Sequence, residues 1–192
     1  IRRHIGSAED SEQLMGFEGI IAKNYFAALG KLMPEGFEFT KRSKRPPLDP
    51  FNSMLSFGYT LLMYEIYTAV EGMGLNPYFG YLHALKNHHP ALASDLMEEW
   101  RAVIVDSMVL GLVHHKEIKA EHFFTKDDRP GIFLSREGRA IFLRAFEKRM
   151  RQENKYMDVD LSYRKSIVHQ AGLFSQAMMA ENADIYKPLR VR

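Results

Sequence analysis

The chain has 192 residues, enough for one domain with a sizeable core. Its 46% hydrophobic content excludes intrinsic disorder, and a net charge of +2 is too small to argue for a nucleic-acid partner by itself. The lack of cysteine excludes disulfides and thiolate metal sites and fits a reducing, cytoplasmic setting; the opening Ile1-Arg2-Arg3-His4 is no secretory leader.

The first helix is expected to begin near Ser7 or Ser11 and run to about Leu32, with Pro34 just beyond it. Its stripe of Leu14, Phe17, Ile21, Tyr25 and Ala28 recurs at helical spacing, and Glu18 lies at the stripe's edge. From Pro34 to Pro50 the sequence reads as a loop, and Lys41, Arg42, Lys44 and Arg45 crowd into it. Asp49-Pro50 starts a second helix, with Asp as cap and Pro in the first helical position. That helix is apolar almost all round to Val70, long enough to raise a membrane span. Asn52, Ser53, Ser56, Thr60 and Glu65 speak instead for a buried central helix, and no membrane partner is expected.

Gly72, Gly74 and Pro77 break the pattern, and a short helix is expected to carry Tyr81 and His83. Ser94 reads as the cap of the next helix, which runs to Val105 or beyond. Asp127-Asp128-Arg129-Pro130-Gly131 is a turn signal joining two very short strands between Phe123 and Leu134. A helix from Ser135 to about Gln152 carries a second group of cations, Arg136, Arg139, Arg144, Lys148, Arg149 and Arg151, which read as a solvated face. The last helix spans roughly Ser162 to Glu181, with Ile167, Ala171, Phe174 and Met178 on one stripe. Residues 1–192 thus read as a single all-α domain with at most one short β-hairpin.

Chemistry concentrates in Glu18, His83, Asp95 and Glu98. One imidazole with two or three carboxylates suits Mg2+ or Mn2+ better than zinc, and such a site handles phosphate esters. Asp95 and Glu98 fall at i and i+3 and share a face, and in a first helical turn the backbone dipole would favour their ionised form. Taken singly, each is an ordinary surface charge or a hydrogen-bonded histidine. The pairs His88-His89 and His114-His115 diverge on any regular element and make poor zinc chelators, and Tyr25, Tyr59, Tyr64 and Tyr67 read as core.

Four motifs in order resemble the CRISPR-associated endonuclease and integrase of spacer acquisition, the Cas1 family. They are Gly16-Phe17-Glu18-Gly19 with Asn24-Tyr25-Phe26, the stretch Arg45-Pro46-Pro47-Leu48-Asp49-Pro50 running on to Leu62, Gly74 through Gly80-Tyr81-Leu82-His83, and Asp95-Leu96-Met97-Glu98 through Arg101 with Val105-Asp106. Leu134 to Arg139 and Tyr186-Lys187-Pro188 extend the likeness over nearly the whole chain. The resemblance implies an α-helical catalytic domain whose Glu18, His83 and Glu98 hold Mg2+ or Mn2+, with Asp95 supporting them. It implies insertion of protospacer DNA into a CRISPR repeat by attack of a 3′-hydroxyl. It also implies double-stranded DNA, a second copy of the chain and the small ferredoxin-fold adaptation protein (Cas2) as partners. Lys41, Arg42, Lys44 and Arg45 are then expected to contact DNA, with Arg101 either joining them or pairing with Glu98 or Asp106. The family's N-terminal β domain is absent from this sequence, which reads as a fragment, a natural short form or part of a fusion. A DNA-binding scaffold and an unrelated helical metal-dependent nuclease are the other readings.

Overall fold

The computed structural model describes residues 10–82 and 89–189. Among the described residues six α-helices carry the fold: α1 (Ser11–Gly30), α2 (Pro50–Gly72), α3 (Ala91–Arg101), α4 (Ser107–His114), α5 (Arg136–Arg151) and α6 (Tyr163–Met179). Two antiparallel hairpins interrupt them, β1 (Phe123–Lys126) with β2 (Arg129–Leu134), and β3 (Glu153–Tyr156) with β4 (Val159–Ser162). The domain is predominantly helical, as expected, but has two hairpins where one was allowed for. The missed β3–β4 turn is Met157-Asp158, both at positive φ (44° and 73°). Such turns are usually signalled by Asn-Gly or Asp-Gly, and Met-Asp gives no such signal.

α2 is the axis of the core. Asp49 caps it, accepting from Asn52 N at 2.7 Å, and Phe51, Met54, Leu55 and Leu62 are wholly buried. α3, α4, α6 and β2 pack around it. Gly58 is where α2 comes closest to its neighbours: a Cβ there would lie 2.5 Å from Val105 Cγ1 and 3.1 Å from the Phe142 ring. No described helix is long and apolar enough to cross a membrane.

α3 begins at Ala91, behind Pro90, so Ser94 is not its cap; Ser94 Oγ instead meets His89 Nε2 at 3.0 Å. Asp95 and Glu98 therefore stand beyond the first turn, where the dipole effect has largely faded. α3 runs through a π-helical turn at Ala102–Asp106 directly into α4. α1 is bound more thinly than its stripe suggested. Phe26 and Leu29 are its buried side chains, whereas Ile21 and Tyr25 are 44% and 36% exposed. Tyr64, also expected in the core, is 66% exposed and lines a groove between α2, α5 and α6.

Arg164 ties three helices, donating to Glu65 of α2 at 2.7 and 3.0 Å and to Glu147 of α5 at 2.8 and 3.1 Å. Hydrogen bonds from Arg164 and then Arg151 hold the Glu147 carboxyl down at about 2. A carboxyl depressed on folding contributes stability that is complete above its ordinary value and is lost as pH falls through the folded one. Urea unfolding should therefore show Glu147→Gln costing about 1 kcal/mol or less at pH 7, because the group is half exposed, and nothing near pH 2. Gly58→Ala should cost about 1–3 kcal/mol at every pH, since overpacking outweighs alanine's better helix propensity.

Candidate active site

Glu18 lines a cavity of about 490 Å3 whose other walls include Lys23 of α1, Lys41, Arg42 and Lys44 of the loop, and Arg101 of α3. The basic loop reaches this position because Asn52, fully buried in α2, uses all its hydrogen-bonding capacity on the loop and its own cap. Its Nδ2 donates to Lys41 O at 2.9 Å and Asp49 Oδ2 at 2.6 Å, and its Oδ1 accepts from Arg42 Nη1 at 2.7 Å and Ser43 N at 2.9 Å. Arg42 also donates to Ser43 O and Ser56 Oγ, so its guanidinium braces the loop from inside. Lys41, Lys44 and Arg45 are exposed.

Arg42 and Arg101 of this cavity also reach a buried carboxylate. Asp106, 2% exposed, accepts from Tyr59 OH of α2 at 2.6 Å and Tyr25 OH of α1 at 2.7 Å. The Arg42 and Arg101 guanidiniums lie over the Tyr59 ring, 5.3 and 5.4 Å from its centroid. Burial pushes the Asp106 carboxyl up, and the two hydroxyls, Arg101 and Arg42 pull against that shift. Burial is also the largest influence raising both phenols well above their ordinary range, so they stay protonated donors. Sequence reading singled out neither the cluster nor Lys23. The available signal was a lone acid within the apolar run Val103-Ile104-Val105-Asp106, which needs buried partners.

Arg101 pairs with Glu98, one of its two anticipated acidic partners. Arg101 itself lines the same cavity as Glu18, so Glu98 is linked to that cavity through its partner. Asp95 does something different: its Oδ2 accepts from Tyr81 N at 2.6 Å and Leu82 N at 3.0 Å, pinning the strand of chain that leads to His83. His83 lies outside the described residues, as does His88. Among the described residues no three His, Cys, Asp or Glu side chains are close enough to hold a metal ion. The described carboxylates alone do not form a centre. Two carboxylates and an imidazole have the chemistry for a hard divalent cation, and that set would need His83.

The architecture matches solved structures closely. A casposase bound to integration product has a TM-score of 0.89 at 23% identity, covering 98% of this chain and 54% of that one, a likeness of fold. A Cas6-RT-Cas1--Cas2 complex gives 0.88 at 28% identity, over 97% of this chain and 20% of that one. The class is a helical domain shared by casposase and Cas1 proteins. The family described as CRISPR associated protein Cas1 matches residues 1–148, and the chain belongs to it. CRISPR-associated endonuclease Cas1 3 of Thermus thermophilus is 42% identical over 188 residues, 96% of this chain and 55% of that protein. CRISPR-associated endonuclease Cas1 of Mycobacterium tuberculosis is 46% identical over 148 residues, 77% of this chain and 44% of that protein. The chain spans about half the length of the curated relatives it matches.

Two substitutions test the geometry. Tyr59→Phe removes one donor from a buried carboxylate and should cost about 1–3 kcal/mol in urea unfolding. Asp95→Ala should leave the fold intact but release the Tyr81 and Leu82 amides, raising their hydrogen-exchange rates roughly tenfold or more, equivalent to about 1.4 kcal/mol of lost local protection.

Proposed function

We propose that this chain is the catalytic part of a DNA endonuclease and strand-transfer enzyme that inserts protospacer DNA into a CRISPR repeat. The carrying observation is Glu18 in a cation-walled cavity also lined by Arg101, the partner of Glu98, in a chain of the Cas1 family. Relatives named CRISPR-associated endonuclease support the activity, and the Cas6-RT-Cas1--Cas2 complex among the structural neighbours supports Cas2 as a partner. A second copy of the chain completes the assembly, working in the cytoplasm.

Glu18, His83 and Glu98 would hold Mg2+ or Mn2+, with Glu98 exchanging its present partner Arg101 for the ion. When bound, the cation neutralises charge gathering on the phosphoryl oxygens. Lys23, Lys41 and Lys44 bind the DNA phosphates around the scissile bond. Arg101, once released from Glu98, lies in the same wall to join them. Asp95 acts as a positioning residue by fixing the backbone just ahead of His83. The 3′-hydroxyl of the incoming strand attacks the repeat phosphodiester in line: its oxygen bonds to phosphorus, the repeat strand leaves as a new 3′-hydroxyl, and one proton is exchanged between the two. Water as the attacking group gives nicking instead. Positioning and charge neutralisation supply the rate, with no covalent enzyme intermediate.

Joining of a labelled 3′-hydroxyl duplex to a repeat-bearing plasmid in Mg2+ or Mn2+ tests this reading. Glu18→Ala should abolish joining while leaving DNA binding. Absence of joining by the unaltered chain, with binding retained, would point to a scaffold; cutting without joining would point to an unrelated nuclease. Separately, Lys41→Gln with Lys44→Gln should weaken binding and lower the slope of log affinity against log salt by about 0.9 per lost phosphate contact.

A further inference from the structure

α3 carries two acids on one face, Asp95 and Glu99, four residues apart and so one above the other along the helix. Each engages a different piece of chain. Asp95 holds the Tyr81 and Leu82 amides. Glu99 holds the segment that follows α6: its Oε1 accepts from Tyr186 OH at 3.1 Å, and the Leu189 backbone amide donates to the same carboxylate. Gln170 of α6, 1% exposed, completes the anchor, its Nε2 donating to Glu99 Oε2 at 3.1 Å and to Lys187 O at 2.9 Å. Its Oε1 accepts from Tyr156 OH, so a flipped amide would lose all three partners.

The two pieces of chain meet on one aromatic ring. Phe174 of α6 packs edge-on against Tyr81, with centroids 5.8 Å apart and planes at 70°, and edge-on against Tyr186, at 5.6 Å and 90°. Both are favoured geometries for aromatic pairs. Tyr81 OH also donates to Met178 Sδ, one turn further along α6, at 3.1 Å. Tyr81 is 64% exposed, so burial does not account for a ring held at both its edge and its hydroxyl. Close packing fixes the approach to α3: a Cβ on Gly80 would lie 2.8 Å from Asp95 Oδ2 and 2.6 Å from Ala91 Cβ. Asp95, Tyr81, Phe174, Tyr186 and Glu99 thus form a closed ring of contacts that begins and ends on α3.

Two groups of the proposed cation site flank this ring in sequence. Glu98 precedes Glu99 on α3, and His83 follows Leu82 directly. We propose that Phe174 and Tyr186 are positioning residues: through the ring they clasp the chain leading into His83 to the helix carrying Glu98, and so set the spacing of the two groups. The proposal rests on the reading that these groups hold the divalent cation.

The test compares the full chain with Phe174→Ala and with Phe174→Tyr, which keeps the ring. Hydrogen exchange at the Tyr81 and Leu82 amides should quicken roughly tenfold in Phe174→Ala and stay near the unaltered rate in Phe174→Tyr, with the α2 amides unchanged in both. Calorimetric titration with Mn2+ alone should show affinity falling about tenfold in Phe174→Ala, the loss expected when an outer partner of a metal ligand is removed, and recovering in Phe174→Tyr. Unchanged exchange at Tyr81 and Leu82 in a folded Phe174→Ala, equal quickening of the α2 amides, or unchanged Mn2+ affinity overturns the clasp. Tyr81→Ala opens the same ring from its exposed member, and should quicken exchange at Leu82 and weaken Mn2+ binding to the same extent, so a Phe174 variant that fails to fold leaves the test intact. A chain that binds Mn2+ and joins DNA, but whose variants change neither reading, loses the clasp alone; an unaltered chain that binds no Mn2+ and joins nothing loses the cation-site reading and the clasp's role with it.

Discussion

The Asp106 carboxylate is the interaction on which the arrangement depends. A buried carboxylate without partners would cost several kcal/mol, and here the cost is offset by two phenolic hydroxyls from two different helices and the fields of two guanidiniums. Because Tyr25 belongs to α1 and Tyr59 to α2, satisfying one charge fixes where α1 lies relative to the core. α1 buries little else besides Phe26 and Leu29, so this polar contact supplies a large part of its specificity. Glu18 sits two turns before Tyr25 on the same helix and takes its place from that contact.

The same logic governs the basic loop. A cation-rich segment repels itself and has no core of its own, yet it is ordered because Asn52 presents a saturated amide to it from inside α2. Arg42 is drawn inward to complete that network, and the outward cations are left to face a ligand. One buried amide thus divides the basic residues into a structural member and exposed ones. The hairpin edge at Ile132 then closes the loop from its far side, making two adjoining cavities out of one segment.

Much of this was legible in the sequence. Asp49-Pro50, Ser135 and the Asp127–Gly131 turn are local signals, and helix α2, helix α5 and the first hairpin follow from them. Glu18 and the basic loop were each singled out in the sequence, but that they share one cavity was not. What was not legible depends on contacts between distant parts of the chain. The cap of α3 lies at Pro90, four residues before the expected Ser94, and Ser94 Oγ is engaged by His89 instead. The second hairpin turns on Met157-Asp158, whose positive φ is imposed by the strands it joins. Tyr25, Tyr59 and Asp106 are 81 and 47 residues apart in sequence, and no local pattern links them.

The π-helical turn at Ala102–Asp106 makes the chain between Ala91 and His114 one residue longer, for its rise, than a regular helix would be. Length alone therefore carries information there. Removing one residue from that turn would let it close into regular α geometry with α4 roughly in place, but the side chains within the turn would be redistributed around the helix. The register that brings Asp106 to the two tyrosines would be disturbed, while Arg101 and Glu98, both on α3, would keep theirs. In this segment the irregular turn sets where Asp106 stands, so its length is part of what brings that carboxylate to Tyr25 and Tyr59.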